Sequence, residues 1–88
     1  MLNVTDDAKQ RLKEQLETHT EDPEVGARLV VQTNGKYDLV ADRETPGDQV
    51  VEYDGLKVLL IGQEAAPHVD GKTLDLQDTV HGQKLVIR

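Results

Sequence analysis

The apolar positions of this chain fall into short segments with two different periods. From Ala8 onward, Leu12 and Leu16 recur at every fourth residue, with Lys9, Lys13, Glu14 and Glu17 between them. That spacing puts one narrow apolar stripe on a helix and predicts an amphipathic helix over residues 6–18. Thr5 stands where an N-cap belongs, and Asp6 and Asp7 sit where the positive end of the helix dipole favours carboxylates. Before the helix, Leu2 and Val4 flank Asn3 in a short alternating segment that reads as an edge strand.

The rest of the chain reads as strands. Its longest apolar run is Leu56-Lys57-Val58-Leu59-Leu60-Ile61, set between Asp54-Gly55 and Gly62. Branched side chains between glycine breaks predict a buried central strand. The run is too short for a bilayer, which takes roughly 20 apolar residues. Residues 27–33 and 36–42 form two further strands. Asn34-Gly35 between them predicts a hairpin with a two-residue turn, since both residue types tolerate positive φ. That turn pairs Val30 with Leu39 and Leu29 with Val40, and apolar residues on both faces predict a strand pair covered on two sides. Residues 49–53 form the next strand. Residues 63–69 form a short second helix, limited by Pro67. Leu74 and Leu76 alternate with Asp75 and Gln77 in a half-buried strand, His81-Gly82 turns the chain, and Leu85, Val86 and Ile87 form the last strand. The expected fold class is α+β: a small, mostly antiparallel two-layer β structure with one main N-terminal helix and a short second helix. At 88 residues it is expected to be a single domain, 1–88.

Composition narrows the chemistry. The net charge is −7 and the only aromatics are two tyrosines. Phosphate backbones are therefore repelled and bases find no stacking platform, which argues against nucleic-acid binding. There is no cysteine, so disulfides, thiolate nucleophiles and thiolate metal ligands are excluded. There is no serine, so a Ser/His/Asp triad is excluded as well. Gly71-Lys72-Thr73 matches only the end of a phosphate-loop motif and opens a strand instead of a helix. MLNVTDDAKQ has no basic segment followed by an apolar one, so no signal peptide or membrane segment is expected and the cytoplasm is the expected location.

The opening Val4-Thr5-Asp6-Asp7-Ala8 with its helix, the strand Arg28-Leu29-Val30-Val31, the segment Asp54-Gly55-Leu56-Lys57-Val58-Leu59-Leu60 and the segment from Val69-Asp70-Gly71-Lys72-Thr73 to Leu74-Asp75-Leu76-Gln77-Asp78 follow one another in a familiar order. The chain resembles the HesB-like family, the A-type iron–sulfur carrier proteins, over nearly its whole length. The resemblance implies the fold. It also implies three cysteine ligands, one in a loop after the first long strand and two in a Cys-Gly-Cys tail. Here the loop is Gln32-Thr33-Asn34-Gly35-Lys36, shorter and without cysteine, and the chain reaches Arg88 before any tail. No family ligand transfers to any position, because cluster ligation by thiolate needs cysteine.

His19, His68 and His81 lack the i, i+4 spacing of a helical metal pair; His68 with Asp70, or His81 with Asp78, is the nearest approach to a weak site. Asp6/Asp7, Glu21/Asp22 and Asp75/Asp78 are paired carboxylates, but acid–base work needs one of a pair desolvated. The expectation is therefore no catalytic residue, no metal ligand and no cofactor. The expected function is a non-enzymatic accessory or protein-binding module. The alternatives are a low-affinity His/Asp metal-binding protein, or an iron–sulfur assembly factor acting through partner-supplied ligands. Expected partners are proteins, among them iron–sulfur assembly proteins or a second copy of the chain.

Overall fold

The computed structural model describes all 88 residues. Strand β1 is Asn3–Val4 and helix α1 is Asp6–His19; β2 is Val25–Val31, β3 Tyr37–Arg43, β4 Gln49–Tyr53 and β5 Leu56–Ile61; helix α2 is Ala66–Val69, β6 is Thr73–Thr79 and β7 Gly82–Ile87. The strands form two sheets, one in the order β1-β6-β7 and one in the order β3-β2-β5-β4. Three pairings are antiparallel, while β1·β6 and β2·β5 are parallel. The α+β class and the two-layer plan are as the pattern predicts. No helix is long and apolar enough to cross a membrane.

Helix α1 forms where its stripe demands. Thr5 caps it, its Oγ1 accepting from the Ala8 amide at 3.2 Å. The same hydroxyl donates to Asp75 Oδ1 at 2.9 Å, which ties the cap to β6. Ala8 and Leu12 are shut from solvent between the two sheets, against β5 and β6. β5 is an inner strand of its sheet, and Val58, Leu59, Leu60 and Ile61 all have zero exposure. Leu59 and Ile61 join Leu2, Leu29, Val69 and Leu74 in one aliphatic cluster. Leu60 is equally buried but lies outside that cluster, on the opposite face, beside Arg28 and Val50.

The hairpin differs from its expected register by one residue. Leu29 faces Leu39 and Val30 faces Asp38. Asn34 keeps a negative φ, and only Gly35, at φ 81°, takes the left-handed position. The turn therefore closes with Gln32 N donating to Lys36 O at 2.7 Å and Gly35 N to Gln32 O at 2.9 Å, which is a longer loop than a two-residue turn. The slip brings Leu29 and Leu39 onto one inner face. Val30 and Val40 are left outward, 36% and 44% exposed, so the strand pair is covered on one side and not on both. Smaller differences are the later start of α2, at Ala66, and the final turn. Val80-His81 forms that turn, and Gly82 at φ 111° already belongs to β7.

Candidate functional site

The resemblance puts the first cluster ligand in the turn between β2 and β3. In this chain the turn is closed on itself. Lys36 N donates to Asn34 Oδ1 at 3.0 Å, so the Asn34 side chain serves the turn rather than an outside ligand. Next to the turn, the Tyr37 hydroxyl reaches the His68 carbonyl oxygen at 3.5 Å and links β3 to α2. A groove of about 400 Å³ lies between the end of β2 and α2, lined by Val30, Gln32, Thr33, Glu64, Ala65 and His68 among others. It offers imidazole, carboxylate and amide, and no sulfur.

The histidines do not meet. His19 ends α1, His68 lies in α2 and His81 lies in the β6–β7 turn, and all three are exposed. Their nearest acids have other partners. Asp70 accepts from the Met1 amino group, which holds its carboxyl below the usual range. Asp78 accepts from Gln83 Nε2 at 3.1 Å. No three His, Asp or Glu side chains gather in a metal-binding arrangement.

Of the paired carboxylates, Asp22 and Asp75 are firmly hydrogen-bonded. Asp6 and Asp7 sit in the first turn of α1. Asp22 accepts from the Glu24 amide at 2.9 Å and from Arg43, and its pKa is lowered chiefly by that amide. Asp75 accepts from Thr5, from the Leu76 amide and from Arg88; its pKa is lowered first by the Thr5 hydroxyl. Asp22 and Asp75 are thus held in the ionised form, the opposite of what a general acid requires.

The most ordered polar cluster was not visible in the sequence as a unit. Arg28, on the outer face of β2, donates from Nε to Asp42 at 2.6 Å and from its terminal nitrogens to Asp48 at 2.7 and 3.0 Å and to the Arg43 carbonyl at 2.9 Å. The Asp48 side chain is 3% exposed, and it also accepts from the Thr45 amide at 2.8 Å. These donors, Arg28 foremost, pull the Asp48 carboxyl down to about 2. Arg28 is correspondingly raised by Asp48 and then by Asp42. The cluster straps the loop before β4 across the sheet and over Leu60. The signal was an arginine inside an otherwise apolar strand, a residue that demands acidic partners from elsewhere in the chain.

The fold and the ligand turn together define a carrier-type scaffold whose β2–β3 turn holds no cysteine. No protein-family model matches the chain. It is similar to Escherichia coli SufA, whose crystal structure is described as that of a protein involved in biosynthesis of iron–sulfur clusters: the TM-score is 0.78 and the identity 27%, over 99% of this chain and 83% of that one. Protein Rv2204c of Mycobacterium tuberculosis is 32% identical over 89 residues, covering 96% of this chain and 74% of that protein. A protein encoded in the nifU 5′ region of Cereibacter sphaeroides is 33% identical over 91 residues, covering 98% and 84%. The chain belongs to the HesB-like family of A-type iron–sulfur carrier proteins, as a member without cysteine.

Proposed function

We propose that this chain is a non-enzymatic accessory or protein-binding module of iron–sulfur assembly, one HesB-like domain over residues 1–88 that works in the cytoplasm. The observation that carries the reading is the turn at residues 32–36. The position where the family implies a thiolate holds a self-satisfied asparagine turn, inside a scaffold otherwise kept at a TM-score of 0.78 to SufA. An iron–sulfur cluster is the family's cargo, and these side chains do not fit it. Carboxylate and imidazole are hard or borderline donors, while the cluster prefers thiolate. A scaffold that keeps its fold without these ligands is still able to present its surface to other proteins.

The test is affinity capture of the tagged chain from its native host, with cross-linking and mass spectrometry. Recovery of iron–sulfur assembly proteins is the expected result. Recovery of none, together with turnover of any substrate by the purified chain, would refute the reading. A visible cluster that appears only when a captured protein is added would place the ligands on that partner.

A further inference from the structure

An exposed sheet edge carries unpaired N–H and C=O groups and is a template for another strand. Four strands lie at edges here: β1, β7, β3 and β4. Three of them are blunted. β1 has only two residues. In β4 the register shifts between Val51 and Glu52. β3 is seven residues long, but Asp38 accepts from the Leu39 amide and Asp42 from the Arg43 amide, each at 2.8 Å. Each aspartate thus occupies an outward amide that an added strand would need.

β7 has no such guard. Thr73 and Arg88 exchange both backbone bonds, at 2.8 and 2.9 Å, which fixes the alternation along the β6–β7 ladder. Val86 and Lys84 therefore bond back to β6, and Gln83, Leu85 and Ile87 turn their backbone groups outward. Beside this edge runs a groove of about 410 Å³ lined by Leu29, Tyr37, Leu39, Leu74, Leu85 and Ile87. Lys84 stands at its rim. In a chain of net charge −7, Lys84 has no carboxylate within 4.0 Å.

We infer that the β7 edge is a strand-addition site for an extended segment of a protein partner, with apolar side chains at alternate positions and a carboxylate opposite Lys84. This rests on the reading of the chain as a protein-binding module and names the surface that module uses. The added strand takes the three outward backbone pairs. Its period of two drops every second side chain into the groove beside Leu85 and Ile87, while Lys84 selects the charge. A second copy of β7 fits less well, because its only charged residue, Lys84, is a cation, and Arg88 just after it is another.

The probe is an acetylated, amidated hexapeptide alternating valine with threonine and carrying one central glutamate, titrated into the ¹⁵N-labelled chain and followed by amide hydrogen exchange. In the free chain the Gln83, Leu85 and Ile87 amides are expected to exchange fast. With peptide these three slow, and the Leu39 and Arg43 amides of β3 do not change. Lys84→Glu is expected to weaken the peptide about fivefold, as cross-strand charge reversal does, and to prefer a lysine-bearing peptide instead. Unchanged exchange with peptide at millimolar concentration overturns the inference and leaves the capture experiment above standing. Protection of the same amides that grows with protein concentration alone overturns it in favour of a second copy. Peptide binding unaltered by Lys84→Glu overturns the charge requirement. If the peptide binds as expected and the capture experiment recovers no partner, the edge stands and the assembly reading falls.

Discussion

Asp48→Asn removes one charge from the Arg28 cluster and changes almost nothing in volume. Asp48 falls from an ordinary 3.8 to about 2 in the folded chain, with its side chain 3% exposed. A lowering of that size corresponds to roughly 2.4 kcal/mol of preferential stabilisation of the ionised form. Arg28 is 18% exposed and Asp42 48% exposed, so water reaches one rim of the cluster and trims the figure to about 1–2 kcal/mol. Because the folded pKa is lowered, the contribution is present in full above the unfolded value, near pH 4, and is lost as pH falls through 2. The assay is urea unfolding of wild type and Asp48→Asn at pH 7, 5, 4, 3 and 2. The wild type is expected to be the more stable by about 1–2 kcal/mol at pH 7, and the gap is expected to close between about pH 4 and 2. Arg28→Met is expected to cost more, about 3–5 kcal/mol, since it strands a buried carboxylate. Equal stability of wild type and Asp48→Asn at pH 7, or a gap that persists unchanged at pH 2, would refute the assignment of this stabilisation to the ionised pair.

Three further outcomes follow from named contacts. Leu59→Ala, at a position with zero exposure, is expected to cost about 2–5 kcal/mol in urea unfolding; a loss below about 1 kcal/mol would mean the central strand is wrongly placed. Gly26→Ala is expected to destabilise by about 1–3 kcal/mol, because a Cβ there meets the Lys57 carbonyl oxygen at 2.9 Å and Leu60 Cγ at 3.2 Å; an unchanged unfolding midpoint would contradict that crowding. Chemical reconstitution with iron and sulfide is expected to leave both the wild type and Asn34→Cys colourless after desalting, and a stable visible band with stoichiometric iron and sulfide would overturn the reading of the missing ligands.

The central strand and the capped helix were legible because one local signal decides each. Leu56–Ile61 is a run of branched side chains between breakers, and Ala8, Leu12 and Leu16 mark a helix face with Thr5 at its start. The hairpin register was not legible. Asn-Gly serves equally in a tight turn with two left-handed residues and in a longer one with a single left-handed glycine. The choice is made by whether Leu29 meets Leu39, which is a matter of the finished core. The Arg28 cluster was hidden for a related reason: Asp42 and Asp48 lie 14 and 20 residues away, and only the fold brings them to one guanidinium. The candidate site was legible mainly as a subtraction. Counting cysteines removed the family's chemistry, while the edge of β7 depends on backbone alternation that no side chain announces.

The Thr5 hydroxyl, shared between the Ala8 amide and Asp75, spans 70 positions of sequence. Asn3 lies beside Thr73 over the same distance. Closing a chain loop of that length costs roughly 4 kcal/mol of entropy before any contact rewards it. The β2–β3 and β6–β7 hairpins close over a handful of residues and have no such barrier. Loop closure therefore favours early formation of the hairpins, and the parallel seam between β1 and β6 is expected to form late. In the folded chain α1 touches β2, β4 and β5 of one sheet and β6 of the other, so the Thr5 bond to Asp75 ties the start of the helix that joins the two sheets to β6.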